Sequence, residues 1–107
     1  MSKVRLDLLP TGALAEVAKA YQSGVEGDYT AWQWRNGSPW RGKQMAAAMR
    51  HIFEWMAGND EDEDSGLNPL AHAVSRMLIV LEWSKDKRYK RFDDRQEALR
   101  GPSAKSK

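Results

Sequence analysis

His51 and Glu54 stand three residues apart, and His72 and Arg76 stand four apart. On an α-helix those spacings put both members of a pair on one face, so the first sets an imidazole beside a carboxylate and the second an imidazole beside a guanidinium. Between the pairs runs Asp60-Glu61-Asp62-Glu63-Asp64. Adjacent carboxylates repel one another in any packed element, so this run predicts a solvated or ion-binding loop. Oxygen donors at the alternate positions Asp60, Asp62 and Asp64 suit a hard divalent cation such as Mg2+ or Mn2+. Glu16 supplies another carboxylate from upstream, and Arg50, beside His51, another cation. If the helices pack together, these groups can meet at one edge of a bundle beside the acidic loop, as a site for a cation and a phosphate. Taken singly, each also has an ordinary reading, as a charge on a helix's polar face or in a solvated turn.

Other chemistries fall away. The chain has no cysteine, which excludes thiolate catalysis and cysteine-ligated zinc. It contains neither a phosphate-cradling G-x-x-x-x-G-K-[ST] nor a G-x-G-x-x-G, and no serine sits in a G-x-S-x-G elbow. The acidic run is a poor EF-hand: counting from Asp60, Gly66 comes at the seventh position rather than the sixth, and Ala71 occupies the twelfth, where a glutamate belongs. Metal-assisted phosphoanhydride chemistry or plain binding survives.

The elements that would position these residues read as helices. Thr11 is placed to cap a first helix over residues 11–26, with Leu14, Val17, Ala18 and Tyr21 on one face and Glu16 off it. Residues 27–41 lack periodicity and read as an ordered loop, anchored by Trp32, Trp34 and Trp40. Ser38-Pro39 is a cap and first-turn pair opening a second helix, whose buried stripe is predicted as Met45, Ala48, Met49, Ile52, Phe53 and Met56. The methionines of that stripe read as core packing. Gly58 ends the helix, and Asn68-Pro69 starts a third that runs to about Trp83 with Leu70, Val74, Met77, Leu78 and Leu81 inward.

Three amphipathic helices without a strand predict an all-α fold, a small helical bundle. At 107 residues with 41% apolar content the chain suits one modest core, and without disulfides such a core gains from burial against another copy, so a homo-oligomer is expected. The domain is placed at residues 1–84, with 8 basic and 11 acidic side chains, and a basic tail at 85–107, with 9 and 4. A peripheral helix is expected over 87–99, with disorder beyond it. The tail offers only Tyr89 and Phe92 for stacking and mixes in Asp86, Asp93, Asp94 and Glu97, which argues against nucleic-acid binding. No leader and no apolar run of membrane-spanning length is visible, so a cytoplasmic protein is expected.

The order of residues also resembles a known family. Asp7 to Pro10 (DLLP), then Ala13, Leu14, Glu16, Val17 and Ala18, then Trp34, Arg35 and Gly37, then Arg50 and His51 are its weaker marks. The most specific is the run GNDEDEDSGLNPLAHA, from Gly58 through Asp60, Asp62, Asp64, Ser65, Gly66 and Leu67 to Leu70, Ala71, His72 and Ala73. Over residues 5–82 the chain is similar to the phage dATP/dGTP diphosphohydrolases, which are MazG-like nucleotide pyrophosphohydrolases. The resemblance implies an all-α MazG-like bundle assembled as a dimer or tetramer. It also implies Mg2+- or Mn2+-dependent cleavage of a purine deoxynucleoside triphosphate to monophosphate and pyrophosphate. Glu16, Asp60, Asp62, Asp64 and His72 would hold metal or handle water, with His51 and Glu54 beside them. Arg50 and Arg76 suit phosphate by their chemistry, and Trp32 and Trp34 suit a purine face. The chain departs from the pattern at Pro69, where the family commonly has a histidine, at Asn59, where it has an acid, and at Asp64, where it has a glutamate.

Two rivals differ in class. A relative that kept the pocket and lost turnover would bind and sequester nucleotides, as in blunting a host defence, and Pro69 and Asn59 point that way. A helical protein-interaction or nucleic-acid-interaction module would need residues 85–107 and bind in a salt-sensitive manner.

Overall fold

The computed structural model describes residues 3–26 and 41–87, together with Asp93 and Arg95. A 3-10 turn, Leu6–Leu8, precedes α1 (Thr11–Glu26), α2 (Arg41–Met56) and α3 (Pro69–Ser84). Among the described residues there is no strand, so the chain is all-α. None of the described helices is long and apolar enough to cross a membrane.

Each visible helix end follows from its local residues. Thr11 is the first residue of α1 rather than its cap, and the Leu14 N–H donates to the Pro10 carbonyl at 3.0 Å. At the end of α2 the chain turns back through Gly58, whose φ of 98° suits a residue without a Cβ. The N–H groups of Gly58 and Asn59 there donate to the carbonyls of Trp55 and Glu54. Asn68 caps α3 as its sequence predicts: the side-chain oxygen accepts from the Leu70 N–H at 2.9 Å, and Pro69 takes the first turn, where no donor is needed. The start of α2 expected at Ser38-Pro39 and the anchors Trp32, Trp34 and Trp40 lie outside the described residues, as does most of the tail helix expected over 87–99.

α3 packs against both α2 and α1. The buried residues mix small and large side chains: α2 buries Gln44, Ala47 and Ala48, and α3 buries Ala71, Ala73 and Ser75 with Ile79 and Trp83. Val17 and Ala20 are buried on α1, and the Tyr21 hydroxyl donates to the Ser75 carbonyl at 2.7 Å, tying α1 to α3.

That choice of seam corrects the expected core. Of the predicted α2 stripe only Ala48 is fully buried and Ile52 half-buried; Met45, Met49, Phe53 and Met56 are exposed, Met56 by 68%. On α3 the predicted inward face is likewise turned out, with Val74 and Met77 half-buried and Leu70, Leu78 and Leu81 exposed. On α1 Val17 is inside, but Leu14 and Ala18 are outside. Periodicity finds the widest apolar arc on a helix, and the positions buried here lie largely off that arc.

Among the described residues Trp83 is the largest side chain with no exposure. Trp83→Ala is expected to remove roughly 3–5 kcal/mol of folding free energy, the usual cost of emptying a buried aromatic site. Urea unfolding followed by far-UV circular dichroism measures it, and a loss below about 1 kcal/mol would mean that Trp83 is not a core residue.

Candidate functional site

The site grows from the turn between α2 and α3. Asp62 organises that turn: one carboxylate oxygen, Oδ2, accepts from the N–H groups of Asp64 and Ser65, each at 3.1 Å, and from the Ser65 hydroxyl at 3.2 Å. An aspartate that bonds the backbone two and three residues ahead is the ordinary Asx device for reversing a chain. The main chain closes around it, with the Asp62 N–H donating to the Leu67 carbonyl at 2.6 Å and the Gly66 N–H to the Asp62 carbonyl at 2.8 Å. Gly66, at φ 75°, takes the left-handed position that closure requires.

Asp62 is therefore held with one oxygen committed to the loop and the other, Oδ1, directed at α2, 4.0 Å from His51 Nδ1. His51 Nδ1 in turn lies 3.0 Å from Glu54 Oε1, one helical turn along, as the i, i+3 spacing requires. One imidazole nitrogen and two carboxylate oxygens thus come within 4.8 Å of one another: His51, Glu54 and Asp62 are the group among the described residues able to hold a metal ion together. Donors about 2.1 Å from one cation and at right angles to each other lie about 3.0 Å apart, so Asp62 has to close on His51 by about 1 Å. Half-buried side chains can move that far by small torsion changes.

α3 contributes the other wall. The His72 ring stacks on that of His51, with centroids 4.9 Å apart and planes at 25°. Its Nε2 lies 2.6 Å from the Ser65 hydroxyl, which also receives the Leu67 N–H at 3.2 Å. With the hydroxyl donating to Asp62, the hydrogen between His72 and Ser65 belongs to Nε2. Asp62, Ser65, His72 and His51 therefore form a closed circuit that returns to Asp62.

Charge follows from these contacts. Burial lowers the pKa of His72, and its neighbours His51 and Arg76 lower it further against the pull of Asp62 and Glu54, so the ring is neutral at pH 7. For Asp62 burial works to raise the pKa. The N–H groups of Ser65 and Asp64, the His72 ring once it is protonated at low pH, and the Ser65 hydroxyl together overcome it, and the carboxyl lies below its ordinary range.

Of the other residues singled out in the sequence, Arg76 is half-buried and donates to Gln44 Oε1 at 3.0 Å. Glu16, on α1, pairs with Lys19 at 3.2 Å and is outside the three-donor group. Arg50, Asp60 and Asp64 are exposed and outside it as well. Trp32 and Trp34 lie outside the described residues. Two groups escaped sequence reasoning. Ser65 had a usable signal, since an Asp with Ser-Gly three residues on is a turn that can bond its own serine. Gln44, buried against Arg76, had none, as nothing in a lone helical glutamine marks it as interior.

A family model described as dATP/dGTP diphosphohydrolase, N-terminal, matches residues 1–95. No similarity to a curated protein or to a solved structure was found.

Because the folded state favours neutral His72, protons bind the unfolded chain more readily below the ordinary imidazole pKa of about 6.5. Its contribution to stability is therefore complete above that pH and lost as the pH falls toward the lowered folded value; the Asp62 contribution goes only at lower pH, below the carboxylate range. Thermal melts in EDTA are expected to show the melting temperature falling between about pH 7 and pH 5, with a shallower fall in His72→Gln. An equal slope in both proteins would show that another group titrates.

Proposed function

This chain belongs to the dATP/dGTP diphosphohydrolase, N-terminal, family, and from that premise we propose that it is a metal-dependent pyrophosphohydrolase. Its substrate would be a purine deoxynucleoside triphosphate, its products the monophosphate and pyrophosphate, and its setting the nucleotide pool of an infected cell's cytoplasm. The observation that carries the reading is the convergence of His51, Glu54 and Asp62 on one point between two helices that also hold His72 and Arg76.

His51, Glu54 and Asp62 would hold Mg2+ or Mn2+, which when bound neutralises triphosphate charge and makes water more acidic. The reaction needs a water to attack the α-phosphorus in line, the α–β bridging P–O bond to break and pyrophosphate to leave with that bond's electrons. The water's proton needs an acceptor. His72, neutral at pH 7, has the capacity to take it, and the Ser65 hydroxyl bonded to its other nitrogen keeps the ring from turning. Arg76 offers a guanidinium to the phosphates, with Arg50 as a second, solvent-facing cation; Trp32 and Trp34 are proposed for the base. The exposed Asp60 and Asp64 add negative field that draws cations toward the turn, and Glu16 is proposed as a further carboxylate from α1.

Assembly belongs to the same proposal. The apolar side chains left uncovered on α2 and α3 are the usual mark of an interface, and a second copy of the chain would cover them. Residues 85–107 are proposed to be an appendage to the catalytic domain at 1–84.

One observation favours a second reading. Pro69 stands where the family commonly has a histidine, is fully buried and has no donor atom to offer a metal. A site that lacks that ligand and binds without turnover would sequester nucleotides.

Incubation with each of the four deoxynucleoside triphosphates and Mg2+ or Mn2+, followed by chromatography, separates the two. Monophosphate and pyrophosphate are expected from a purine substrate, falling by roughly 100-fold or more in Asp62→Asn, the scale on which removing a key electrostatic group acts. Tight nucleotide binding without product establishes the second reading instead. For assembly, light scattering after size exclusion is expected to give at least a dimer, and a monomer for the Met49→Glu, Phe53→Glu double variant. A monomeric parent would end that part of the proposal.

A further inference from the structure

The same three donors carry a preference about the ion. The acidic turn attracts any divalent cation, and charge alone does not separate Mg2+ from Mn2+, because both carry the same charge. Separation has to come from the chemistry of the donor atoms. Mg2+ binds oxygen, keeps several waters and takes imidazole poorly, whereas the first-row transition cations from Mn2+ onward accept imidazole nitrogen with growing affinity along the series.

The structure puts a nitrogen where a cation would have to sit. His51 Nδ1 faces both Glu54, at 3.0 Å, and Asp62, at 4.0 Å. The ring is not free to swing aside: it is half-buried on α2 and stacked against His72, and His72 is held by Ser65. Asp62 has given Oδ2 to the loop and presents Oδ1, so it acts as a single-oxygen donor. A cation bridging Glu54 and Asp62 meets the imidazole as well, and the hydrogen now shared between His51 and Glu54 would leave as it binds. Asp60, Glu61, Glu63 and Asp64 are exposed around this point and contribute field without selecting between ions.

We propose that His51 Nδ1, Glu54 and Asp62 form a mixed nitrogen–oxygen site that binds a divalent transition cation, such as Mn2+ or Co2+, in preference to Mg2+. The proposal deepens the functional reading by naming the ion class of its site, and it rests on that reading only for what the ion is used for.

The experiment uses the full chain stripped with EDTA and no nucleotide. Mn2+ is titrated by the loss of its free-ion electron paramagnetic resonance signal, Mg2+ is added in competition, and pulsed resonance reads nitrogen coupling to bound Mn2+. The expected result is one Mn2+ per chain, coupled to nitrogen, with Mg2+ needed at an excess of ten-fold or more to displace half of it. His51→Gln is expected to lose the nitrogen coupling and bring the two ions within about three-fold of each other, while Glu54→Gln weakens both ions together. Circular dichroism melts establish that the variants fold, and the wild-type competition stands without them. Displacement by equimolar Mg2+, absence of nitrogen coupling, or an unchanged ratio in folded His51→Gln overturns the proposal. Failure here is distinct from failure of the enzymatic reading: a selective site without hydrolysis removes the enzyme and leaves the site, and hydrolysis with no discrimination between ions does the reverse.

Discussion

The packing of α3 against α2 is what the rest of the site depends on. The side chains seen to meet across it are the His51 and His72 rings and Arg76 with Gln44, flanked by the buried Ala47 and Ala48 on α2. The two rings stack with centroids 4.9 Å apart, which they can do only because the helices that carry them are packed together. The turn joining the helices is drawn into the same space, so Asp62 reaches His51 although it belongs to a loop of charged residues. A metal-sized cluster is a consequence of how tightly a seam closes.

Tight closure places polar groups inside, and those groups have to be satisfied. A half-buried carboxylate such as Asp62 loses solvation, and hydrogen bonds to a charged group return roughly 1.5–3 kcal/mol each. Oδ2 accepts from the N–H groups of Asp64 and Ser65 and from the Ser65 hydroxyl, which keeps the charged form favoured despite burial. The remaining acids of the run, Asp60, Glu61, Glu63 and Asp64, are exposed, where water and salt screen their mutual repulsion. Five adjacent carboxylates are tolerated because only Asp62 goes in. Its hydrogen bonds also fix the direction of Oδ1.

Much of this was legible in the chain, and the part that was not has a physical cause. Helix identity was visible wherever a cap or breaker marked an end, as at Gly58, Asn68 and Pro69. The pairing of His51 with Glu54 followed from spacing, since an i, i+3 relation fixes neighbours within a helix whatever the tertiary fold. The gathering of Asp62 and His72 around them was drawn only as a possibility of packing, because spacing says nothing across helices. The buried faces were misjudged for the same reason. Hydrophobic periodicity measures transfer free energy and points to Met45, Met49, Phe53 and Leu81, whereas contact between two helices in one chain also depends on shape, and alanine carries little weight in any apolar count. Ser65 was present in the specific motif but silent as to role, because its work is to connect two groups that are seven and three residues away.

Pro69 shows how fold and site compete for one position. At the first turn of α3 a proline costs nothing in lost hydrogen bonds, arrives with its φ already suited to the helix, and here is buried besides. A histidine there would place an imidazole one turn before His72, on the same face, and give up part of that stability. With proline in place, the imidazole of α3 that remains is His72, and its Nε2 is turned to Ser65 rather than toward the carboxylates. The three clustered donors are then those of α2 and the turn, and α3 contributes an imidazole and a guanidinium beside them. The three clustered donors and the imidazole of α3 thus lie on opposite sides of one seam, so their relative placement depends on how α3 packs against α2.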